Sequence, residues 1–261
     1  MERQGRFNIG GWLRRVVRGP SWLAQSGYDL LLPPSCAVCG VEIDAANDRV
    51  MLCPACRSRL GPEVWIGCQH CGTGLSEAAP SCGWCRRHTL HFDAVVPLGR
   101  YEDELREAVL RTKRPAGHSL LMALANHLAQ QRARALLAFG LQAIDPVPMH
   151  WRRRVWTGMN NADGIDHFLS HRFQIPLVRC LRRNHNTRPQ KHLGLLDRFR
   201  NVRGAFAVCK GYDLRGTKVL LVDDVLTTGA TCSSAAEVLK GAGASLVVAA
   251  VLARADGEAT P

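Results

Sequence analysis

Eight cysteines in four C-x-x-C pairs dominate the N-terminal third: Cys36/Cys39, Cys53/Cys56, Cys68/Cys71 and Cys82/Cys85, separated by 13, 11 and 10 residues. A C-x-x-C turn aims two thiolates at one point, and two such turns complete a tetrahedral metal site. The gaps are slightly shorter than the ~15–20 residues of the common four-cysteine zinc spacing, yet they leave room for a hairpin. Gly40 and Gly72 directly follow a pair, giving the C-x-x-C-G of a zinc knuckle whose backbone turns sharply. A disulfide framework would need an oxidising compartment. No export signal is expected, because Trp12–Val17 reads WLRRVV, with arginines where an apolar core belongs. A redox C-x-x-C stands alone beside a βαβ unit rather than four times over. The expectation is two structural Zn2+ sites of four thiolates each, with sequential pairing favoured over interleaved. Neither would keep an open position for catalysis. His70, His88 and His91 read as surface or packing residues.

A segment so rich in Cys, Gly and Pro cannot bury a large apolar core, so metal must supply its folding energy. A zinc-binding domain is therefore expected at residues 33–90, opened by Pro33 and Pro34. Ahead of it lies a basic segment, residues 1–32, in which Trp12, Leu13, Val16, Val17, Trp22 and Leu23 interleave with Arg14, Arg15 and Arg18. Such a segment can lie on an anionic membrane surface as an amphipathic helix. Gly19-Pro20 breaks it early, and packing on the protein's own body is an equal alternative. The whole chain is 46% hydrophobic and 21% charged, a globular composition. No run approaches the ~18 apolar residues of a membrane span. A cytoplasmic protein is expected, at most peripheral to a membrane.

From residue 91 to 255 the texture changes to alternating strand and helix. Strands are expected at Ala94–Leu98, Leu141–Pro148, Leu177–Leu181, Val219–Val222 and Leu246–Leu252. Helices are expected at Glu102–Leu110, Leu120–Leu137, Gly164–Phe173 and Ala230–Lys240. Continuous apolar strands alternating with helices imply an α/β domain with a mainly parallel sheet.

The most informative run is Val219–Thr231, VLLVDDVLTTGAT. A buried strand ends in two adjacent carboxylates, Asp223 and Asp224, and then in a turn of Thr227, Thr228, Gly229, Ala230 and Thr231 that opens a helix. Ligands of open parallel sheets bind beyond the carboxyl ends of strands. A hydroxyl-rich glycine turn at a helix N-terminus offers N–H groups to a phosphate. Two carboxylates at the same edge suit a ribose diol or a Mg2+.

Net charge is +12, and residues 150–203 hold most of it, with twelve basic and three acidic side chains. Charge this concentrated calls for an anionic partner, with phosphate the first candidate; a solvated basic face is the alternative.

The run Val219–Thr231 resembles the phosphoribosyl-diphosphate (PRPP) motif of type I phosphoribosyltransferases. Residues 28–254 resemble the ComF-type competence proteins, a group that includes the GntX-like DNA-utilisation proteins. Four further stretches carry the likeness: LLLPPSCAVCG, YEDELREAVLRTKRPAG (Tyr101–Gly117), DPVPMHWRRRVWTGMNNA (Asp145–Ala162) and LRRNHNTRPQKHLGLLDRFRNVRGAF (Leu181–Phe206). The chain departs from the family's G-F-N-Q at Gly158–Asn161, where it reads G-M-N-N. The resemblance implies a phosphoribosyltransferase-like parallel-sheet domain behind a small four-cysteine zinc-ribbon domain. It places Asp223 and Asp224 against the ribose hydroxyls as the catalytic pair, and Thr227–Thr231 around the 5′-phosphate. Pro146–His150 would face pyrophosphate, and Thr187–Arg203 would form a flexible loop over the site.

Phosphoribosyl transfer through an oxocarbenium-like state relies on positioning and on stabilising the leaving pyrophosphate with Mg2+ and basic groups. Arg182, Arg183, Arg188, Lys191, Arg198, Arg200 and Arg203 are candidates for that task. No base-recognition hood is visible in the sequence.

Two functions follow. In the favoured one, implied by the resemblance, the protein, cytoplasmic and peripheral to the inner membrane, receives incoming single-stranded DNA on the cytoplasmic side of that membrane and helps pass it to a DNA-uptake helicase or recombination mediator proteins. Arg152, Arg153 and Arg154, with Trp151, Trp156, Phe168 and Phe173 interleaved, would then track the backbone and stack on bases. In the alternative it is an active phosphoribosyltransferase of nucleotide or base salvage, and the basic residues serve PRPP alone. Those aromatics can equally be core residues. Cys180, Cys209 and Cys232 read as packing residues.

Overall fold

The computed structural model describes residues 34–43, 51–75, 82–149, 161–184 and 194–255. Its centre is a four-stranded parallel sheet built from β1 (Ala94–Arg100), β2 (Ala143–Pro146), β5 (Lys218–Leu226) and β6 (Leu246–Arg254), in the order β1-β6-β5-β2. Two short strands, β3 (Leu181–Arg183) and β4 (Phe206–Val208), pair antiparallel beside it. Parallel strands are covered on both faces, which is why β6 reads LVVAAVLAR and is buried from Val247 to its end.

Side chains alternate across the sheet. Leu220, Val222, Val248, Ala250 and Leu252 join one core with α3 (Asp103–Thr112), α4 (His118–Ala138) and α5 (Asn161–Phe173). Val219, Leu221, Val247, Ala249 and Val251 join the other with α7 (Ala230–Gly241) and the β3–β4 pair. The two cysteine quartets divide the same way. Cys36, Cys53 and Cys56 belong to the first core, with α1 (Pro54–Leu60). Cys71 and Trp84 belong to the second, with α2 (Gly83–Arg87).

Each cysteine knuckle is held to the α/β body by an arginine. Arg111 of α3 donates to Val38 O at 2.9 Å and Ala37 O at 3.1 Å. Arg254, at the end of β6, donates to Cys71 O at 2.7 Å. Arg132 of α4 adds a third tie, donating to Pro62 O, Glu63 O, Pro97 O and Leu98 O at 2.8–2.9 Å.

Three expectations need correction. The strand expected at Val219–Val222 continues through both aspartates to Leu226, because β6 stays paired with it as far as Leu226↔Arg254. Leu177–Leu181 is not one strand. Leu177 makes a single parallel bridge to Ile144, and the chain pairs again only from Leu181, turned there by the carboxylate of Asp145. The second half of the expected flexible loop is the helix α6 (Leu195–Val202), anchored where Ser234 Oγ donates to Val202 O at 2.8 Å. The remaining expected strands and helices are present, with ends shifted by a few residues. The basic N-terminal segment lies outside the described residues. Among the described residues no helix is long and apolar enough to cross a membrane.

Candidate functional site

The eight cysteines gather into two clusters, Cys36/Cys39/Cys53/Cys56 and Cys68/Cys71/Cys82/Cys85, with the sulfurs of each within 4.8 Å of one another. This is sequential pairing. Sγ–Sγ distances of 3.7 Å (Cys39–Cys53), 3.8 Å (Cys68–Cys85) and 3.3 Å (Cys71–Cys82) can be set against geometry. A tetrahedral zinc with bonds of about 2.3 Å has sulfur–sulfur edges of about 3.8 Å. The donor sets therefore fit a four-thiolate metal ion. Burial pushes the Cys56, Cys71 and Cys85 thiols up, but at Cys36 the N–H groups of Cys39, Cys53 and Val38 prevail over it and hold the thiol at about 6. At Cys82 the Cys85 N–H and neighbouring thiols do the same, holding it at about 7. Each cluster thus holds one thiol already lowered toward the thiolate form that a metal takes.

The histidines of this region are engaged elsewhere. His70 Nε2 donates to Phe92 O at 2.7 Å, His88 stacks on Phe199 at 5.5 Å, and His91 meets Ser233 Oγ through its backbone N–H and its ring.

The second candidate region lies at the carboxyl end of β5. Asp223 and Asp224 occupy consecutive strand positions, and Thr227–Gly229 form the turn into α7. Gly229 caps α7 with φ +80°, a conformation that favours glycine. A Cβ there would lie in van der Waals contact with Leu90 and Phe92 at 3.4 Å, so the segment following the second quartet forms the back wall of the turn. Thr228 Oγ1 accepts the Ala230 N–H at 3.3 Å. The turn thus presents a helix N-terminus backed by an apolar wall, an arrangement suited to an anion. Burial, and then the charge of Asp224, pushes Asp223 up to about 7.

Two contacts in this region were not anticipated from the sequence. Lys113, just past α3, places Nζ 2.9 Å from Asp224 Oδ2. Burial opposes its charge, but the Asp224 carboxylate outweighs that and holds the ammonium above its usual range. Asp145, the residue before the expected pyrophosphate loop, is 1% exposed. Its Oδ2 accepts the N–H groups of Cys180 and Leu181 at 3.1 and 3.0 Å and the Cys180 thiol at 2.6 Å, while Oδ1 is buried without a partner. Burial raises Asp145 to about 6.

Of the expected basic contacts, Arg152, Arg153, Arg154, Arg188 and Lys191 lie outside the described residues, as do Trp151 and Trp156. Arg198 stands on α6, half-buried, with its backbone N–H on Gly194 O. Arg183 lies over the Phe206 ring at 5.3 Å. Phe168 and Phe173, half-buried, pack against the first core, in agreement with the reading of these two as core residues. Asn161, at the end of the departing G-M-N-N, donates to Thr112 Oγ1 at 2.8 Å. Cys180 and Cys232 are buried, each beside an aspartate.

A parallel α/β sheet with a glycine turn beyond an acid pair, fronted by two four-cysteine clusters, defines a phosphoribosyltransferase-like protein with a double zinc ribbon. The double zinc ribbon domain family matches residues 27–86, and the phosphoribosyl transferase domain family matches residues 169–261. The chain is 32% identical to competence protein F of Haemophilus influenzae over 78% of its own length and 90% of that protein. It is 31% identical to the DNA utilization protein YhgH of Salmonella typhimurium over 89% of its length and 95% of that protein. A shorter stretch of 42 residues is 48% identical to adenine phosphoribosyltransferase of Mycobacterium avium, covering 16% of this chain and 23% of that one. The chain belongs to the family of competence protein F and the DNA utilization proteins.

Proposed function

We propose that the protein handles incoming single-stranded DNA in the cytoplasm during uptake and carries a PRPP-binding, phosphoribosyltransferase-like site. The carrying observation is a likeness that runs along nearly the whole of competence protein F. The basic stretch 150–203 supports a polyanion partner, and a helicase or recombination mediator would receive the strand. Asp223 and Asp224 would hold ribose hydroxyls, and Thr227–Thr231 the 5′-phosphate. Arg152, Arg153, Arg154, Arg188, Lys191 and Arg198 would contact either the DNA backbone or pyrophosphate. Two Zn2+ would hold the cysteine quartets, and Mg2+ enters only as a companion of the ligand's diphosphate.

The test is genetic. In a naturally transformable host, removal of the chain should leave uptake of labelled DNA intact while recombinants fall, and restoring it should recover them. Undiminished recombinants would reject the proposal. The likeness of a short stretch to a phosphoribosyltransferase favours a second function, transfer to a nucleobase. Pyrophosphate release from PRPP across the common bases would reveal it.

A further inference from the structure

Two adjacent carboxylates at the end of a strand invite a divalent cation, and the arrangement around Asp224 argues that this pair has its own. Lys113 is not a loose surface lysine that happens to reach the acid. The last turn of α3 is pinned beneath it. Thr112, 2% exposed, donates its hydroxyl to Val109 O at 2.8 Å and accepts Asn161 Nδ2 at 2.8 Å. The chain then folds back so tightly that a Cβ on Gly117 would lie 2.5 Å from Arg111 O and Thr112 O. Between these two constraints the Lys113 backbone N–H bonds Leu110 O, and its ammonium reaches Asp224 Oδ2.

We propose that Lys113 is the resident cation of the Asp223–Asp224 pair, so that the pair takes the hydroxyls of a ribose phosphate without binding a divalent metal. An ammonium has three donors and no acceptor. One donor serves Asp224, and the others can reach a sugar oxygen. A divalent ion at the pair would have to displace a charge already 2.9 Å from its ligand, and Mg2+ in particular gives up its waters reluctantly. The proposal rests on the ribose-phosphate function above for its ligand, but not for its cation.

The experiment uses the zinc-loaded full chain, with Mn2+ as an electron-paramagnetic probe and ribose 5-phosphate by calorimetry, in chelator-free buffer. The wild type should bind no Mn2+ at this pair, and its ribose 5-phosphate affinity should be insensitive to added Mg2+. Lys113→Met should acquire a Mn2+ site that a further Asp224→Asn removes. It should also lose about tenfold in ribose 5-phosphate affinity, the scale of one charge-assisted hydrogen bond, with part of the loss recovered by Mg2+. Lys113→Arg, which keeps the charge, should exclude Mn2+ as the wild type does. A wild type that takes up Mn2+ lost on Asp224→Asn, or a Lys113→Met variant that binds none, overturns the proposal. If no variant binds ribose 5-phosphate, the ligand assignment fails while the Mn2+ result still decides the cation.

Discussion

Arg254 joins Cys71 to Thr227. The guanidinium is fully buried, donates to Cys71 O at 2.7 Å and Thr73 Oγ1 at 2.7 Å on one side, and to the carbonyls of Leu226, Thr227 and Ala255 on the other. Its charge also lies 6.0 Å from the Trp84 ring centroid. One side chain thereby fastens the second cysteine knuckle to the first residue of the glycine turn. Replacing it with Met should destabilise the protein by about 3–5 kcal/mol, because its carbonyl and hydroxyl acceptors lose their donor in a place water does not reach. Denaturant unfolding measures the loss. A change under about 1 kcal/mol, the scale of a surface contact, would show that these acceptors find other partners once the guanidinium is gone.

The same link makes the two cysteine clusters unequal. The second packs in the core that carries α7, whereas the first packs beneath α3 and α4. Each Cys→Ser change should cost one zinc of an expected two per chain, read by metal analysis. Cys82→Ser should weaken binding of ribose 5-phosphate well beyond the effect of Cys39→Ser. Equal effects from both would mean that the clusters support the turn only through overall stability.

Asp145 gives a pH dependence with a definite sign. Its carboxyl is raised in the folded protein to about 6 from an ordinary value of 3.8, so the folded state binds more protons between those values. Its stabilising contribution is full below about pH 4 and is lost as pH rises through about 6. Over that window the loss is on the order of 2–3 kcal/mol. Asp166, also fully buried and raised to about 6 by burial, acts in the same direction. Thermal unfolding of Asp145→Asn and the wild type should therefore show the stability difference moving in the variant's favour as pH rises from 4 to 7, on top of the common trend set by the zinc thiolates. An unchanged difference would assign the pH dependence to other groups.

What the sequence disclosed, and what it hid, follows from how far each device reaches along the chain. A C-x-x-C turn and a glycine turn at a helix N-terminus are local, so residues a few positions apart announce both. The continuous apolar runs of β5 and β6 are local too, and they marked the sheet. Lys113, Asp145 and Arg254 act on partners far away: Asp224, Cys180 and Cys71. Nothing near Arg254 in sequence distinguishes it from a solvated arginine at a strand end, since most of its acceptors are backbone carbonyls that carry no residue signature. The aromatic spacing that suggested base stacking at Phe168 and Phe173 is also compatible with a helix face turned to a core, and that is where they lie.

Asp223→Asn removes a carboxyl whose charge is opposed by burial, so stability should hold or rise slightly. Affinity for PRPP should nevertheless fall about tenfold or more, as expected for one hydrogen bond made by a charged group. Calorimetry with PRPP and parallel denaturant unfolding separate the two effects. Unchanged affinity would mean that the acid pair no longer serves a sugar.

The most direct test of the central claim is the salt dependence of single-stranded oligonucleotide binding by the zinc-loaded protein. Affinity should fall with log salt at a slope of about −0.7 for each phosphate contacted, independently of sequence. Replacing Arg152, Arg153 and Arg154 together with Ala should flatten that slope while zinc content and PRPP binding persist. Loss of PRPP binding with oligonucleotide affinity and slope unchanged would assign these arginines to pyrophosphate, and would contradict the account of this protein as a handler of single-stranded DNA.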